Sequence, residues 1–514
     1  MQQLRKCLGI DIGTTTVKVA EMVSEKSGVR VTKLLSKPLG LSPGPLDDER
    51  MAAIIQCVKD IIKENKIATK EAVFSLPGQN VFVRQITVPR TSDERLRRIV
   101  QYEARQQIPF ALENSVMEFQ VFDLGDPAEV KVLLAAVKKD IVLEFMKLIN
   151  KLGLKPVQIS VSSLALLNFY IFDATPFGDM PRELSASVVK RDQPEGAVEE
   201  EKADDARAAK ATKKKGFDLA ALLNFGKKKK KPAGPPPGAE DFESLPEMNM
   251  DEPVDDVYEM VPAYVNIGAS TFDLVISRFG KFKMLGFPRS VPWGGNELSR
   301  TLQEKLGLES LDAAEELKRE RAHVVVPGQE ELVAEQGGDP EASEFTTTWA
   351  DRLILDLRKS FDYYISQPDG MAVDSITLSG GQAVQPNLAP YIEEKLGIPV
   401  DIKSAVANES LKLPEITSSN GIGDFLVVLG LGLTGIGLGK LKVDFLPSEL
   451  KTIREFKKKN VEVFLLLGAI AGMVAVSTQV GSRDIDNMSN WLNQQKSQID
   501  QVNTVKVQAA EAEK

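Results

Sequence analysis

Histidine is almost missing from this chain: His323 is the single one in 514 residues, and the cysteines are two, Cys7 and Cys57. One imidazole rules out a His-rich metal centre and argues against a Ser–His–Asp triad, which needs an imidazole beside the nucleophile. Two cysteines without metal-ligand spacing exclude a zinc ribbon and a disulfide framework. Their place in the N-terminal part of the chain suits a reducing compartment. An excess of positive charge is also lacking. The formal net charge is −9, so nothing points to a nucleic-acid partner. No hydrophobic leader opens the chain: MQQLRK is polar and basic and runs into a strand pattern, so no secretory signal is expected.

What the chain does have is length and a distinctive opening. Its 514 residues exceed one ordinary core, so two or more domains are expected. Leu8 to Met22 reads LGIDIGTTTVKVAEM, two short strands joined by a polar Gly–Thr turn. Such a turn gathers backbone N–H groups into a concavity suited to an anion. Gly13 removes the Cβ that would hold a phosphate off, Thr14, Thr15 and Thr16 add hydroxyls, and Lys18 adds a point charge. Asp11 at the strand end could hold a hydrated magnesium ion, which asks for few carboxylates. The alternative is a surface hairpin with a Thr-rich tip.

These residues resemble the first phosphate loop of the actin-like ATPases, D-x-G-T/S-x-x-x-K. That resemblance implies a duplicated α/β fold around one nucleotide, and hence a second glycine hairpin. YVNIGASTFDLVISRFGKFKMLGF from Tyr264 supplies it, with Asn266, Gly268, Ser270 and Thr271 at the turn. ITLSGGQAVQPNL from Ile376 resembles the family's adenosine motif, where Gly380 and Gly381 let the backbone approach the nucleoside. Gly294 and Gly295 in LGFPRSVPWGGNELSR resemble the turn and helix that follow the second hairpin. The cofactors implied are ATP and Mg2+.

Between the hairpins, helical spacing over Glu49–Asn65 and strand patterns at AVFSLPG, Arg84–Val88 and Val130–Val137 alternate with helices at Asp140–Leu152 and Ser162–Tyr170. Thr91 with Glu94 predicts a capping box for a helix that must end near Ile108, before Pro109. Glu103, Ala104, Ile108, Pro109 and Phe110 match an "EA-xx-IPF" signature. It narrows the resemblance to the PilM family of type IV pilus assembly proteins, in which, as in the cell-division relative FtsA, this region is an inserted subdomain. The expected organisation is a first half at 1–180, with the insert within 73–150, and a second half at 261–440.

The intervening 181–260 read as a disordered charged linker, with a Lys run at Lys227–Lys231, a PAGPPPG stretch and an acidic tract. Within it, Phe217, Leu219, Leu222, Leu223 and Phe225 between two Lys blocks would also suit an anionic leaflet. The solvated reading is preferred, because basic and acidic blocks partly neutralise each other. Residues 311–345 carry no usable motif, and Thr346–Ile365 reads as an amphipathic helix. Gly430, Gly432 and Gly435 match G-x-G-x-x-G, but Pro447 follows soon and no helix of useful length intervenes. A glycine-rich closing helix is the better account.

Val461–Val480 contains fourteen uninterrupted apolar residues, Val463 to Val476. At about 20 residues, or roughly 30 Å of helix, the segment is just long enough to span a bilayer. Lys451, Arg454, Lys457, Lys458 and Lys459 precede it, which keeps the N-terminal side cytoplasmic by the positive-inside rule. A single-pass protein of the bacterial inner membrane is expected, with residues 481–514 as a periplasmic tail. In that tail Ile485, Met488, Leu492, Ile499 and Val502 follow a broken heptad with Gln495 in a polar slot, a short coiled coil needing a neighbour.

Before the span, Val443, Asp444, Phe445, Leu446 and Pro447 resemble the "INLLP" peptide of PilN, which docks on PilM in the cytoplasm. The resemblance therefore implies a PilM chain joined to the start of PilN, a docking segment at 441–460, and PilN/PilO-like platform partners. It implies ATP binding with slow or no hydrolysis, because Asn266 stands where actin-like ATPases carry an acid. Two other readings stay open: a GspL-like component of type II secretion, and an active kinase or ATPase on the same fold. A homo-oligomer is expected, with Phe445 and Leu446 exchanged between chains if the groove lies beyond their reach. Gly468 and Gly472, with Ala471 and Ala475, offer a small-residue face for packing within a membrane.

Overall fold

The computed structural model describes residues 4–123, 126–175, 260–278, 286–416, 418 and 420–512, without the side chains of 332, 452–467 and 508–512. The stretch expected to be a linker, 181–260, and its lysine-flanked segment lie outside the described residues, apart from Met260. All described residues belong to one compact unit.

Strand β1 (Lys6–Ile12) turns at Gly13 into β2 (Thr16–Glu25), and β3 (Gly28–Pro38) continues the antiparallel ladder. Helix α1 (Asp48–Glu64) starts at Asp47, whose side chain accepts the Arg50 N–H, and buries Met51, Ile54, Val58 and Ile61. Then β4 (Glu71–Leu76) lies parallel to β1. Next, β5 (Val81–Pro89), α2 (Asp93–Gln107), β6 (Ser115–Phe122) and β7 (Glu129–Lys138) form a subdomain of their own. Its sheet order is β5-β7-β6, and Leu96, Val100 and Ala104 of α2 pack into its core. Helix α3 (Lys139–Leu152) stops at Gly153, which takes φ 69°, a left-handed conformation that glycine adopts without strain. Strand β8 (Lys155–Val161) then joins β4 in parallel, and α4 (Ser162–Asp173) follows, buried on every side.

The second half comprises β9 (Pro262–Ile267), β10 (Phe272–Ser277), β11 (Gly286–Val291), α5 (Gly295–Leu306), α6 (Leu311–Glu320), α7 (Glu330–Glu335), α8 (Pro340–Ile365), β12 (Ser375–Ser379), α9 (Leu388–Leu396) and β13 (Val400–Ile402). Its sheet order, β11-β10-β9-β12-β13, repeats β3-β2-β1-β4-β8 of the first, with the same three antiparallel strands followed by two parallel ones. This is the duplicated α/β fold of the actin-like ATPases. The short β14 (Leu411–Lys412) returns to β3, and α10 (Leu426–Gly435) closes the first lobe.

The glycines of α10 are there for contact. A Cβ on Gly430 would stand 1.8 Å from the Ala165 carbonyl oxygen of α4, and one on Gly432 would stand 2.1 Å from the Met22 sulfur. The G-x-G-x-x-G run is therefore a packing face.

Three details differ from the expectations. The capping box is not formed: α2 is capped at Ser92, which makes no side-chain bond. Starting one residue later puts Arg95 at the third helical position, where an acceptor is required. Helix α8 begins six residues before Thr346, set by Asp339, which accepts the Ala342 N–H, and by Pro340 in the first turn. The docking segment ends at Pro447, because α11 (Ser448–Ala512) is one helix of 65 residues. The expected span, 461–480, falls within α11. Among the described residues no helix is long and apolar enough to cross a membrane. Within the expected span the described side chains begin at Gly468, and beyond it α11 runs on into Arg483 and Asp484.

Candidate functional site

The two glycine hairpins are built alike. The Gly13 N–H donates to the Thr16 carbonyl at 3.0 Å, and the Gly268 N–H donates to the Thr271 carbonyl at 2.9 Å. A Cβ on Gly13 would stand 2.8 Å from that Thr16 oxygen, so a side chain there would force the turn open. The tips meet: Thr14 Oγ1 and Ser270 Oγ are 2.9 Å apart, across the two halves of the fold. Among the described residues no protein acceptor takes the backbone N–H of Thr14, Thr15, Ala269 or Ser270. These donors are the kind that cradle a phosphate.

Behind the tips, each predicted glycine pair has a structural task. The Gly295 N–H donates to the Gly268 carbonyl at 3.0 Å and the Asn296 N–H to Ala269 at 2.8 Å, so α5 starts against the second hairpin. A Cβ on Gly294 would lie 2.4 Å from the Gly268 oxygen. The Gly295 amide is thus engaged by protein and holds the turn. Gly380 takes φ 88°, and its N–H donates to the Gly423 carbonyl; the Gly381 carbonyl accepts from the Asn420 amide. Asn296 Nδ2 donates to Ser270 Oγ at 2.8 Å, adding a side chain the motifs did not single out.

The ladders place the polar groups. Asp11 pairs with Lys18 across β1–β2, and Asn266 pairs with Asp273 across β9–β10. Asp11 accepts the Ser75 hydroxyl at 2.6 Å, while Asn266 Oδ1 accepts from Ser379 Oγ at 3.3 Å. Asp273 is 2% exposed and accepts the Ser290 hydroxyl. Burial pushes its carboxyl up to about 6; Ser290 and Ser162 oppose the rise, and the charge of Asp11 adds to it. Arg50 of α1, buried, donates to the Thr14 carbonyl at 2.6 Å and also to that of Ser42, bracing the first tip from behind. Sequence reasoning missed both Asp273 and Arg50.

A second built region holds the segment after α10. Asn168 Nδ2 donates to the Leu441 carbonyl at 3.0 Å, and its Oδ1 accepts the Leu441 N–H at 2.8 Å. Gln120 brackets the next step in the same way, donating to the Lys440 carbonyl at 2.9 Å and accepting the Lys442 N–H at 2.7 Å. Gln158 Nε2 donates to the Val443 carbonyl at 2.7 Å, and the Phe445 N–H donates to the Ile159 carbonyl at 2.8 Å. Asp444 Oδ1 accepts from the Ile159 and Leu446 N–H groups, although burial still raises its pKa despite Lys451. Val443, Phe445 and Leu446 are at most 2% exposed. Pro447 accepts at its carbonyl from the Leu450 and Lys451 N–H groups and starts α11.

The family model described as type IV pilus assembly protein PilM matches residues 9–183 and 247–435, more than half of the chain. The chain belongs to this family. Among solved structures, the PilM-PilN type IV pilus biogenesis complex matches at 20% identity and a TM-score of 0.56, covering 85% of this chain and 99% of the other. The cytoplasmic domain of EpsL, an inner membrane component of the type II secretion system of Vibrio cholerae, matches at 8% identity and a TM-score of 0.32, covering 86% and 98%. The activator of 2-hydroxyisocaproyl-CoA dehydratase from Clostridium difficile, with bound ADPNP, matches at 8% and 0.33, covering 88% and 97%. The last two likenesses are too slight to carry any function across.

The PilM match stops at Gly435, so the buried segment at 440–447 lies beyond it. In this PilM-family chain the segment docks on its own domain, and the expected exchange between copies is not what the structure shows. The groove is formed by β6, β8 and α4, and α4 packs directly on the closing helix α10. The chain therefore needs no long reach. The residues that grip the segment, Gln120, Gln158 and Asn168, were not legible in the sequence, since each sits on a different element.

Proposed function

We propose that this PilM-family pilus assembly protein binds ATP with Mg2+ in the cleft between its two glycine hairpins, as an inner-membrane scaffold. The observation that carries the reading is the pair of identically closed turns bridged by Thr14 and Ser270, with tip N–H groups left for an anion. ATP would bring the phosphates, and magnesium the charge that neutralises them. Asp11 is the residue to hold the hydrated ion, Lys18 the fixed cation, and Gly380–Gly381 the close approach for a nucleoside. Asn266 cannot act as a base. Turnover is then expected well below the ordinary range of about 1–1000 per second.

The reading extends to the membrane. The apolar stretch 461–480 after a basic flank supports a single span, with the nucleotide domain cytoplasmic and residues 481–514 periplasmic. Exposed Ile485, Met488, Leu492, Ile499 and Val502 on α11 support a coiled-coil tail that pairs with a second copy or with PilN/PilO-like platform subunits. The buried VDFLP segment supports a PilN-like docking peptide carried in the same chain. The test is equilibrium ATP binding to the full-length protein in detergent, with and without magnesium. Asp11→Ala should lose most of the magnesium-dependent affinity. Equal affinity of Asp11→Ala and wild type in magnesium would refute the assignment.

A further inference from the structure

Helix α11 leaves the rest of the fold behind. From Gly468 to Val507 its side chains are exposed, Gly481 alone being half-buried, so among the described residues no other element covers them. Their pattern changes along the helix. Up to Val480 the apolar residues stand on every side: Ile470, Met473, Val474, Val476 and Val480 follow no single stripe. Beyond Gly481 they fall into one seam. Ile485, Met488, Leu492, Ile499 and Val502 are between 51% and 70% exposed and keep to the a and d positions of a heptad. Gln495 fills the one vacant place, three residues after Leu492 and four before Ile499. Between Ser482 and Thr504 the only other large apolar residue is Trp491, at the g position beside the seam.

The residues on and beside the seam decide what can cover it. Closing an apolar seam takes the Gln495 amide out of water, which is costly unless the amide finds a partner. A parallel second copy in register sets Gln495 against Gln495. An amide both donates and accepts, so the two satisfy each other. An antiparallel copy would set Ile485 against Val502, Met488 against Ile499 and Leu492 against Gln495, leaving each amide facing a leucine. A chain of another sequence could match only by carrying an amide at this same layer, which a copy does by identity. Charge agrees with this choice. In a parallel pair each g position meets the e position five residues further along the other helix: Asp484 meets Ser489, Trp491 meets Lys496 and Gln498 meets Asn503. None of these pairs is like-charged, and Lys496 falls beside the Trp491 ring, an attractive cation–π pairing.

We infer that α11 pairs with α11 of a second copy of this chain, as a parallel, in-register two-stranded coiled coil over residues 485–502 whose register is set by Gln495. This rests on the coiled-coil reading of the tail and names the partner that reading leaves between a second copy and platform subunits. The parallel order puts both actin-like domains at the same end of the pair. A polar residue in the seam specifies register at a cost in stability, and the seam is only about 27 Å long at 1.5 Å per residue. The pairing is therefore a property of the whole chain rather than of a detached tail.

The test is disulfide cross-linking of the full-length protein under mild oxidation in the cells that make it. Ile485→Cys and Met488→Cys lie on the seam, and Asn490→Cys lies on the opposite face; all three positions are exposed, so the substitutions leave the fold alone. Wild type, whose Cys7 and Cys57 are both buried, supplies the baseline. Ile485→Cys and Met488→Cys should each give a disulfide-linked dimer, and Asn490→Cys only the baseline. Adding Gln495→Leu should keep the Ile485→Cys dimer and add a link between copies carrying Ile485→Cys and Leu492→Cys, the one-heptad slip that the amide forbids. No dimer at either seam position would overturn the inference. So would a link between copies carrying Ile485→Cys and Val502→Cys with neither linking to itself, since that is the antiparallel pair. A seam cysteine that links to a chain of different mass and not to itself would also overturn it, while the coiled-coil reading survives. Equal linking at Met488→Cys and Asn490→Cys would show that there is no seam, and both would fall.

Discussion

Replacing Phe445 by Ala probes how far the segment after α10 is part of the fold. The ring is fully buried, and its neighbours Val443 and Leu446 are nearly so. Truncating a buried Phe costs about 3–5 kcal/mol, the lost transfer energy plus the cavity left behind. The backbone bonds to Asn168, Gln120, Gln158 and Ile159 do not involve the ring, so the segment should stay in its groove with a hole beneath it. Urea denaturation in detergent, followed by far-UV circular dichroism at two protein concentrations, measures this directly. Docking within one chain predicts a large drop in midpoint that is the same at both concentrations. A change under about 0.5 kcal/mol, the size of an ordinary surface substitution, would show that Phe445 is not in the core. A midpoint that rises with protein concentration would show exchange between copies instead.

Gly430→Ala should destabilise by more than the roughly 1–3 kcal/mol typical of overpacking, because the new Cβ meets the Ala165 backbone oxygen, which cannot swing aside; a melting midpoint unchanged from wild type would contradict the α10–α4 contact. Asp273 has a folded pKa of about 6, above its ordinary 3.8, chiefly because it is buried. The folded protein therefore holds the extra proton between these values, and stability falls as pH rises through that window. In the metal-free protein Asp273→Asn should gain on wild type as pH rises from about 4 to about 6 and level off above, read from urea midpoints; a pH-independent difference would contradict the burial of the charge. In vesicles with the cytoplasmic face outward, protease should remove residues before 450 and spare the tail after Val480. A tail cut as readily as the 181–260 stretch would refute the span.

The glycine hairpins were legible in the sequence because a hairpin turn is local. Gly13 and Gly268 are required by carbonyl oxygens only three residues away, so their chemistry is written in a few consecutive letters. The same holds for α1 and α3, whose apolar spacing and end signals lie within one helix. The capping residue of α2 was misplaced for a related reason: Thr91 and Ser92 are both good caps, and the approach of the chain to the helix chooses between them. By contrast, Asp273 reads as an ordinary polar position in FDLVIS. It becomes a buried carboxylate only when the β4–β5 turn at Gly78 and the start of α4 close over it from the other lobe. Likewise Gln120, Gln158 and Asn168 are polar residues scattered over β6, β8 and α4, and no short-range pattern unites them. They form one groove because a buried extended backbone must have its N–H and C=O groups paired, and only the packed sheet and helix bring amides to them. The sequence alone determined the two glycine turns, since each is closed by its own neighbours. Tertiary structure decided which polar position becomes a buried carboxylate and where the VDFLP segment goes, since both depend on groups more than a hundred residues apart meeting in space.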